Sequence, residues 1–254
     1  MKLRYEYSTN VRFAPSIGRH NLLLRCLPQD APFQRVEAET FRITSGFWHV
    51  EGHDAWGNRI VTAGSTDRHD FLAYTCSGEL SSTTYCIPDA SPHPLYRMPS
   101  ALTGWHEAML TSLPLLTGQT LMDALAIAHA VHRFVEYEPG TTHMLTRAED
   151  VHRHRQGVCQ DFAHLMIALC RAAGYPARYV CGLMAGEGVT HAWVEVYDGQ
   201  CWYAFDPTND TAIASGYIKL AHGRDAQDCP VSRGTYLGQA REETEVLVKV
   251  ETIE

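Results

Sequence analysis

The chain has 254 residues, 45% hydrophobic and 20% charged, the profile of one large or two small globular domains with a substantial core. Its net charge of −8 and its lack of any Lys/Arg-rich run exclude a nucleic-acid surface, because phosphate binding needs concentrated positive charge. No run of about 18 apolar residues is available to span a membrane. The opening "MKLRYEYSTNVRF" lacks the apolar region of a secretory signal, so a cytoplasmic protein is expected.

Residues 1–85 read as a β-rich N-terminal domain. "KLRYEYS", "HNLLLRCLP", "FQRVEAETFRIT", "FWHVEGHDAWGNRIVTAG" and "HDFLAYTCSG" are short, often alternating and rich in β-branched and aromatic residues. Turn chemistry at Pro28–Asp30, Ser45-Gly46 and Asp54–Asn58 separates them, which predicts an antiparallel, sandwich-like sheet. Residues 86–104, "CIPDASPHPLYRMPSALTG", hold four prolines between Pro88 and Pro99 and are expected to wrap as an ordered linker.

From 105 to 254 the pattern is mixed, so the fold class is α+β. "TLMDALAIAHAVHRFVEY" places Leu121, Leu125, Ala128, His132 and Val135 on one helical face. "TRAEDVHRHR" predicts a short polar helix. A third helix is expected over 158–173, apolar nearly all round except for Gln160, Asp161, His164 and Arg171, and stopped by Gly174 and Pro176. "ARYVCGLM", "THAWVEVYD" and "QCWYAFDPT" follow as strands, and "TEVLVKVETI" closes the chain as a last strand of this core.

None of the eight cysteines forms a CxxC pair, which removes the strongest zinc and thioredoxin signals and leaves reduced thiols as the expectation. Cys159 differs from the others in position. In the first turn of its helix, free N–H groups and the positive dipole end favour an anion. With a basic partner, such placement lowers a thiol pKa from about 8.5 to roughly 3.5–7.5. Cys170, inside the same helix, gains no such help.

A nucleophile needs a base, and the base an orienting group. With a two-residue turn at Asp198-Gly199, Tyr197 pairs with Gln200, Trp193 with Ala204, and His191 with Asp206. Opposed residues share a face, and a carboxylate beside an imidazole fixes its tautomer and stabilises its charged form. The expected triad is Cys159 as nucleophile, His191 as base and proton donor, and Asp206 as orienting group. The Cys159 backbone N–H is the expected oxyanion donor.

"GVCQDFAHLMIALCRAAGYPARYV", "HAWVEVY" and "WYAFDPTND" resemble the three motif blocks of the transglutaminase-like superfamily, in the order Cys, His, Asp. The β-rich start resembles the N-terminal domain of bacterial members, and "GYIKLAHGRDAQDCPVSRGTYLG" their C-terminal stretch. The resemblance implies a papain-like core, the cysteine helix packed on an antiparallel sheet, and thiol acyl chemistry on peptide or glutamine amides. Bacterial members of this architecture are described as cysteine-protease-like, so hydrolysis is favoured over amine transfer. A catalytically silent peptide-binding module is the alternative of a different class. Animal cross-linking members use a tryptophan upstream of the cysteine to hold the oxyanion. Here the nearest is the distant Trp105, and Gln156 and Tyr137 are the candidates for a second donor.

Other residues carry blander expectations. Asp161 compensates the helix dipole, with substrate binding as its second reading. Trp193 packs behind His191 or walls the acyl pocket. His129 with His132, and His152 with His154, have no acidic or cysteine partner at ligand spacing, so no metal and no cofactor is expected. The expected partner is a peptide or protein amide substrate, with neither nucleic acid nor membrane.

Overall fold

The computed structural model describes residues 1–253. Its first five strands are β1 (Lys2–Leu24), β2 (Gln34–Ile43), β3 (Trp48–His53), β4 (Arg59–Ser65) and β5 (His69–Ser82). Helices α1 (Thr120–Phe134), α2 (Ala148–His154) and α3 (Cys159–Ala172) come next. The main strands that follow are β6 (Ala177–Met184), β7 (His191–Tyr197), β8 (Cys201–Asp206), β9 (Tyr217–Gly223), β10 (Ser232–Leu237) and β11 (Arg241–Thr252). The expected α+β class, with its mostly antiparallel strands, is what the chain adopts.

The first two predicted strands are one. β1 runs unbroken and serves two sheets, its first half between β5 and β11, its second between β4 and β10. The two sheets enclose an apolar interior containing Leu3, Ile17, Leu24, Val61, Leu72 and Leu80. β11 was expected on the catalytic core, but it pairs with β1 from Leu3↔Thr252 to Ala14↔Arg241. Its alternation places Val248 and Val250 in the sandwich interior, which explains its choice of partner. Leu183, Ile218 and Leu220 of β6 and β9 join the same interior, so the two units share buried surface.

The sheet of the core has the order β8, β7, β6, β9, all antiparallel, and Ile87–Pro88 of the proline-rich wrap adds to β8. α3 packs across it. Three of its four polar exceptions are buried too: Asp161 and His164 are fully covered, and Arg171 donates to Thr103 Oγ1 and to the carbonyls of Tyr96, Ala177 and Arg224, while Gln160 is half-exposed at the cleft. α1 is turned partly from the expected face, of which Ala128 and Val135 are buried. It buries Asp123, Ala124, Ile127, Ala128 and Val131, while Leu121 and Leu125 stay exposed. The carboxylate of Asp123 explains the rotation, since it accepts from the Thr117 and Gly118 N–H groups and the Tyr175 hydroxyl. The small residues beside it allow a close approach to α3.

The β7–β8 turn also sits elsewhere than expected. Tyr197 pairs with Trp202 and Val194 with Phe205, so the two-residue turn is Gly199-Gln200. Asp198 decides this: its Oδ1 accepts the N–H groups of both Gln200 and Cys201, an Asx-type turn that moves the strand start along. The register is displaced by two residues, not one, so every side chain keeps its face.

Candidate active site

Val158, the N-cap residue of α3, is extended and has no side-chain oxygen to cap with. Asp161 does that work instead: Oδ2 accepts the Val158 N–H at 2.8 Å and the Thr142 hydroxyl at 2.6 Å. Gly157 is needed here, because a Cβ on it would lie 2.6 Å from the Cβ of Asp161. Cys159 therefore opens the helix, with a backbone N–H that has no intrahelical acceptor. Its side chain is half-buried, whereas burial pushes the Cys170 thiol up to about 12.

His191 begins β7 and pairs with Gly182 of β6. A Cβ at Gly182 would lie 2.1 Å from the Ile218 carbonyl oxygen and 2.4 Å from the Trp193 ring. The bare position lets Trp193 lie behind His191, ring centroids 6.4 Å apart and planes at 28°. Trp193 is fully buried and packs, and the structure does not bring it to the cleft.

Asp206 ends β8, diagonal to His191 rather than directly opposite as the expected register had it. The diagonal is still bridged: His191 Nε2 lies 2.7 Å from Asp206 Oδ2. A carboxylate only accepts, so Nε2 carries the proton and Nδ1 is left for Cys159. Oδ2 also accepts from Asn209 Nδ2 at 2.7 Å and the Tyr217 hydroxyl at 2.8 Å. Oδ1 takes the N–H groups of Thr208 and Asn209 at 2.9 and 3.2 Å. Sequence reasoning missed Tyr217, which arrives from another strand. Asn209 sits within the quoted "WYAFDPTND" and was findable as a third-residue Asx partner of Asp206.

Burial works against charge on His191, but Asp206 and then Cys159 outweigh it and raise its pKa to about 9. Burial also opposes the Asp206 carboxylate, and His191, Tyr217 and Asn209 together hold it below the usual range. The result is an imidazole kept protonated by a fixed carboxylate on one side, with a thiol on the other.

Cys159 and His191 line one cleft of about 590 Å³ between α3, the start of β7 and the segment 226–233. Tyr137 lies in it, half-exposed, and the nearby Cys159 adds to the burial that raises its pKa. Gln156 does not reach the cleft; it lines a separate hollow with Thr142 and His154. Asp161 is wholly buried and committed to the helix start, which leaves it no contact with the cleft. His129 and His132 grip the loop after Asp206: His129 Nδ1 meets Asp210 at 2.6 Å, and His132 Nδ1 meets the Thr208 carbonyl at 3.0 Å. Among the described residues no three His, Cys, Asp or Glu side chains are grouped to hold a metal, and no helix is long and apolar enough to cross a membrane.

Residues 116–207 match the family model described as the transglutaminase-like superfamily, and residues 2–81 the bacterial transglutaminase-like N-terminal region. The chain is 35% identical over 136 residues to an uncharacterized protein of Mycobacterium leprae, a match covering 50% of this chain and 48% of that protein. The chain thus spans about half the length of that relative. It is 35% identical over 103 residues to a protein-glutamine gamma-glutamyltransferase of Pseudomonas aeruginosa, covering 33% of this chain and 15% of that one. In fold it is similar to the crystal structure named a Putative Cysteine Protease from Cytophaga hutchinsonii, with a TM-score of 0.84 at 24% identity over 100% of this chain and 91% of the other. The chain thus carries a transglutaminase-like core behind a bacterial transglutaminase-like N-terminal region.

Proposed function

We propose that this protein is a cysteine-dependent amidase acting on peptide or protein amides, with Cys159, His191 and Asp206 as its catalytic triad. The observation that carries this reading is the His191 imidazole, bonded through Nε2 to a carboxylate that is itself fully hydrogen-bonded, and sharing a cleft with the thiol of a helix-opening cysteine. The Cys159 thiolate, its proton held on His191, attacks the amide carbonyl carbon, and the carbonyl π pair becomes an oxyanion beside the Cys159 N–H. His191 gives its proton to the amide nitrogen as the C–N bond breaks, which leaves a thioester and a free amine. Water, deprotonated by His191, then attacks the thioester. The acid departs and the thiolate returns.

An amine in place of water would give transamidation, and the Pseudomonas relative's name supports keeping that reading second. The test begins with iodoacetamide near pH 6.5 and mapping of the adducts. Cys159 is expected to label well ahead of Cys86 and Cys201, the other partly accessible thiols. Equal labelling of the three would remove the activated nucleophile. Peptide amides supplied with a labelled amine then separate the routes. Free acid without incorporated label supports the amidase, and label in the product makes transfer the main reaction.

A further inference from the structure

A second cavity, of about 490 Å³, lies inside the N-terminal sandwich and meets the cleft at Met144, Thr190, Val231 and Ser232, which line both. Thr190 is the residue before His191, so the passage opens next to the reacting groups. The walls are aromatic and aliphatic, with Phe13, Leu22, Leu72 and Val246 among them. Three of its hydroxyls are tied to one another: Thr9 Oγ1 donates to the Tyr7 hydroxyl at 2.9 Å, and that hydroxyl lies 3.4 Å from Tyr74's; Thr190, Ser232 and Thr244 add further neutral hydroxyls to the lining. No lysine or arginine lines the space. Its titratable side chains besides the tyrosines are Glu242, which accepts from the Tyr236 hydroxyl at 2.6 Å, and His20. Burial and the neighbouring His69 push the His20 pKa down to about 4, so it is neutral near pH 7.

We propose that this cavity is the specificity pocket of the amidase, taking a bulky aromatic or aliphatic side chain from a residue flanking the scissile amide and rejecting acidic ones. The proposal rests on the amidase reading for its substrate class. The volume falls within the range of about 300–1,000 Å³ usual for ligand pockets. An apolar wall favours aromatic and aliphatic groups, and a carboxylate inside would lose its hydration against Glu242 with no cation to replace it. On this reading the N-terminal domain supplies most of the pocket, while the core supplies the chemistry.

Binding to the Cys159→Ala protein separates this proposal from the amidase reading, because it requires no turnover. Blocked peptide amides of one sequence, carrying Phe, Leu, Ala or Asp beside the glutamine or amide centre, are titrated by calorimetry. Phe and Leu peptides are expected to bind at least tenfold more tightly than the Ala peptide, and the Asp peptide more weakly still. Val246→Trp, made at a half-buried position on the pocket wall, should abolish the Phe preference while leaving Ala-peptide affinity unchanged. Thr244→Phe, at an exposed position on the same strand, serves if the first variant does not fold. Equal affinity for Phe and Ala peptides, or a preference that both filled variants retain, overturns the pocket. Failure of the wild type to hydrolyse the same peptides, with the binding preference intact, would instead strike the amidase reading alone.

Discussion

Glu195 and Asp206 are both fully buried carboxylates on the β7–β8 hairpin, yet they are neutralised in opposite ways. Glu195, in mid-strand, lies between two cations: Arg178 bonds it closely, and Lys219 Nζ lies 2.7 and 2.8 Å from its two oxygens. Burial would raise its pKa, but Arg178 and Lys219 bring it down to about 2. Asp206, at the strand end, meets four neutral donor groups and a single partner able to carry positive charge, His191. Two cations, both away from the cleft lining, lock the first charge in place. One imidazole leaves the second able to respond as a proton moves in the cleft. Buried charge by itself therefore does not mark chemistry; a partner whose far side reaches the cleft does.

The sharpest way to break this contrast is to remove each carboxylate. Asp206→Asn should lower kcat by about 10⁴, the loss known when a triad carboxylate becomes an amide and the wrong tautomer is held. Steady-state hydrolysis of a peptide amide measures it, and a loss below tenfold would dissolve the distinction between the two sites. Glu195→Ala should act through stability, costing about 3–5 kcal/mol because Arg178 and Lys219 are left buried without their counter-charge. Urea unfolding reads that loss, and the molecules still folded should keep activity far above Asp206→Asn.

The smallest effect is the pH dependence. The folded-state pKa of His191 is raised to about 9 from an ordinary 6.5, so its charge stabilises the fold fully below about pH 6.5. That contribution, about 3 kcal/mol, is lost as pH rises through 9. The unfolding free energy of the wild type should fall across this window relative to His191→Gln. Lys219, lowered to about 8 chiefly by burial, titrates in both proteins and cancels from the difference. A constant difference between the two proteins from pH 6 to 9.5 would show that Asp206 does not hold the imidazole charged.

Much of the site was legible along the chain because its signals are local. A glycine, a cysteine and an acidic residue in the first turn of a helix announce the start of α3, and the structure opens that helix at Cys159. The hairpin pairing survived an error in its turn because a two-residue displacement preserves the face of every side chain. The orientation of α1 survived only in part. A stripe of leucines pointed outward, because the hydrogen bonds to Asp123 and the fit of small residues against α3 outweighed the hydrophobicity of single side chains. Gln156 lines a different hollow from Cys159, since proximity in sequence says nothing about which way a neighbouring side chain faces.

By itself the sequence determined the α+β class, the helix start that exposes Cys159, and the strand pair that carries His191 and Asp206. Each follows from period, capping or turn chemistry within a few residues. Only the tertiary structure decided that Tyr217 would brace Asp206, that β11 would return to pair with β1, and that a sandwich cavity would open beside Thr190. These depend on segments far apart in the chain meeting at one place. Local propensity carries no record of that meeting, since shared burial and paired backbone groups settle it only once the whole chain has closed.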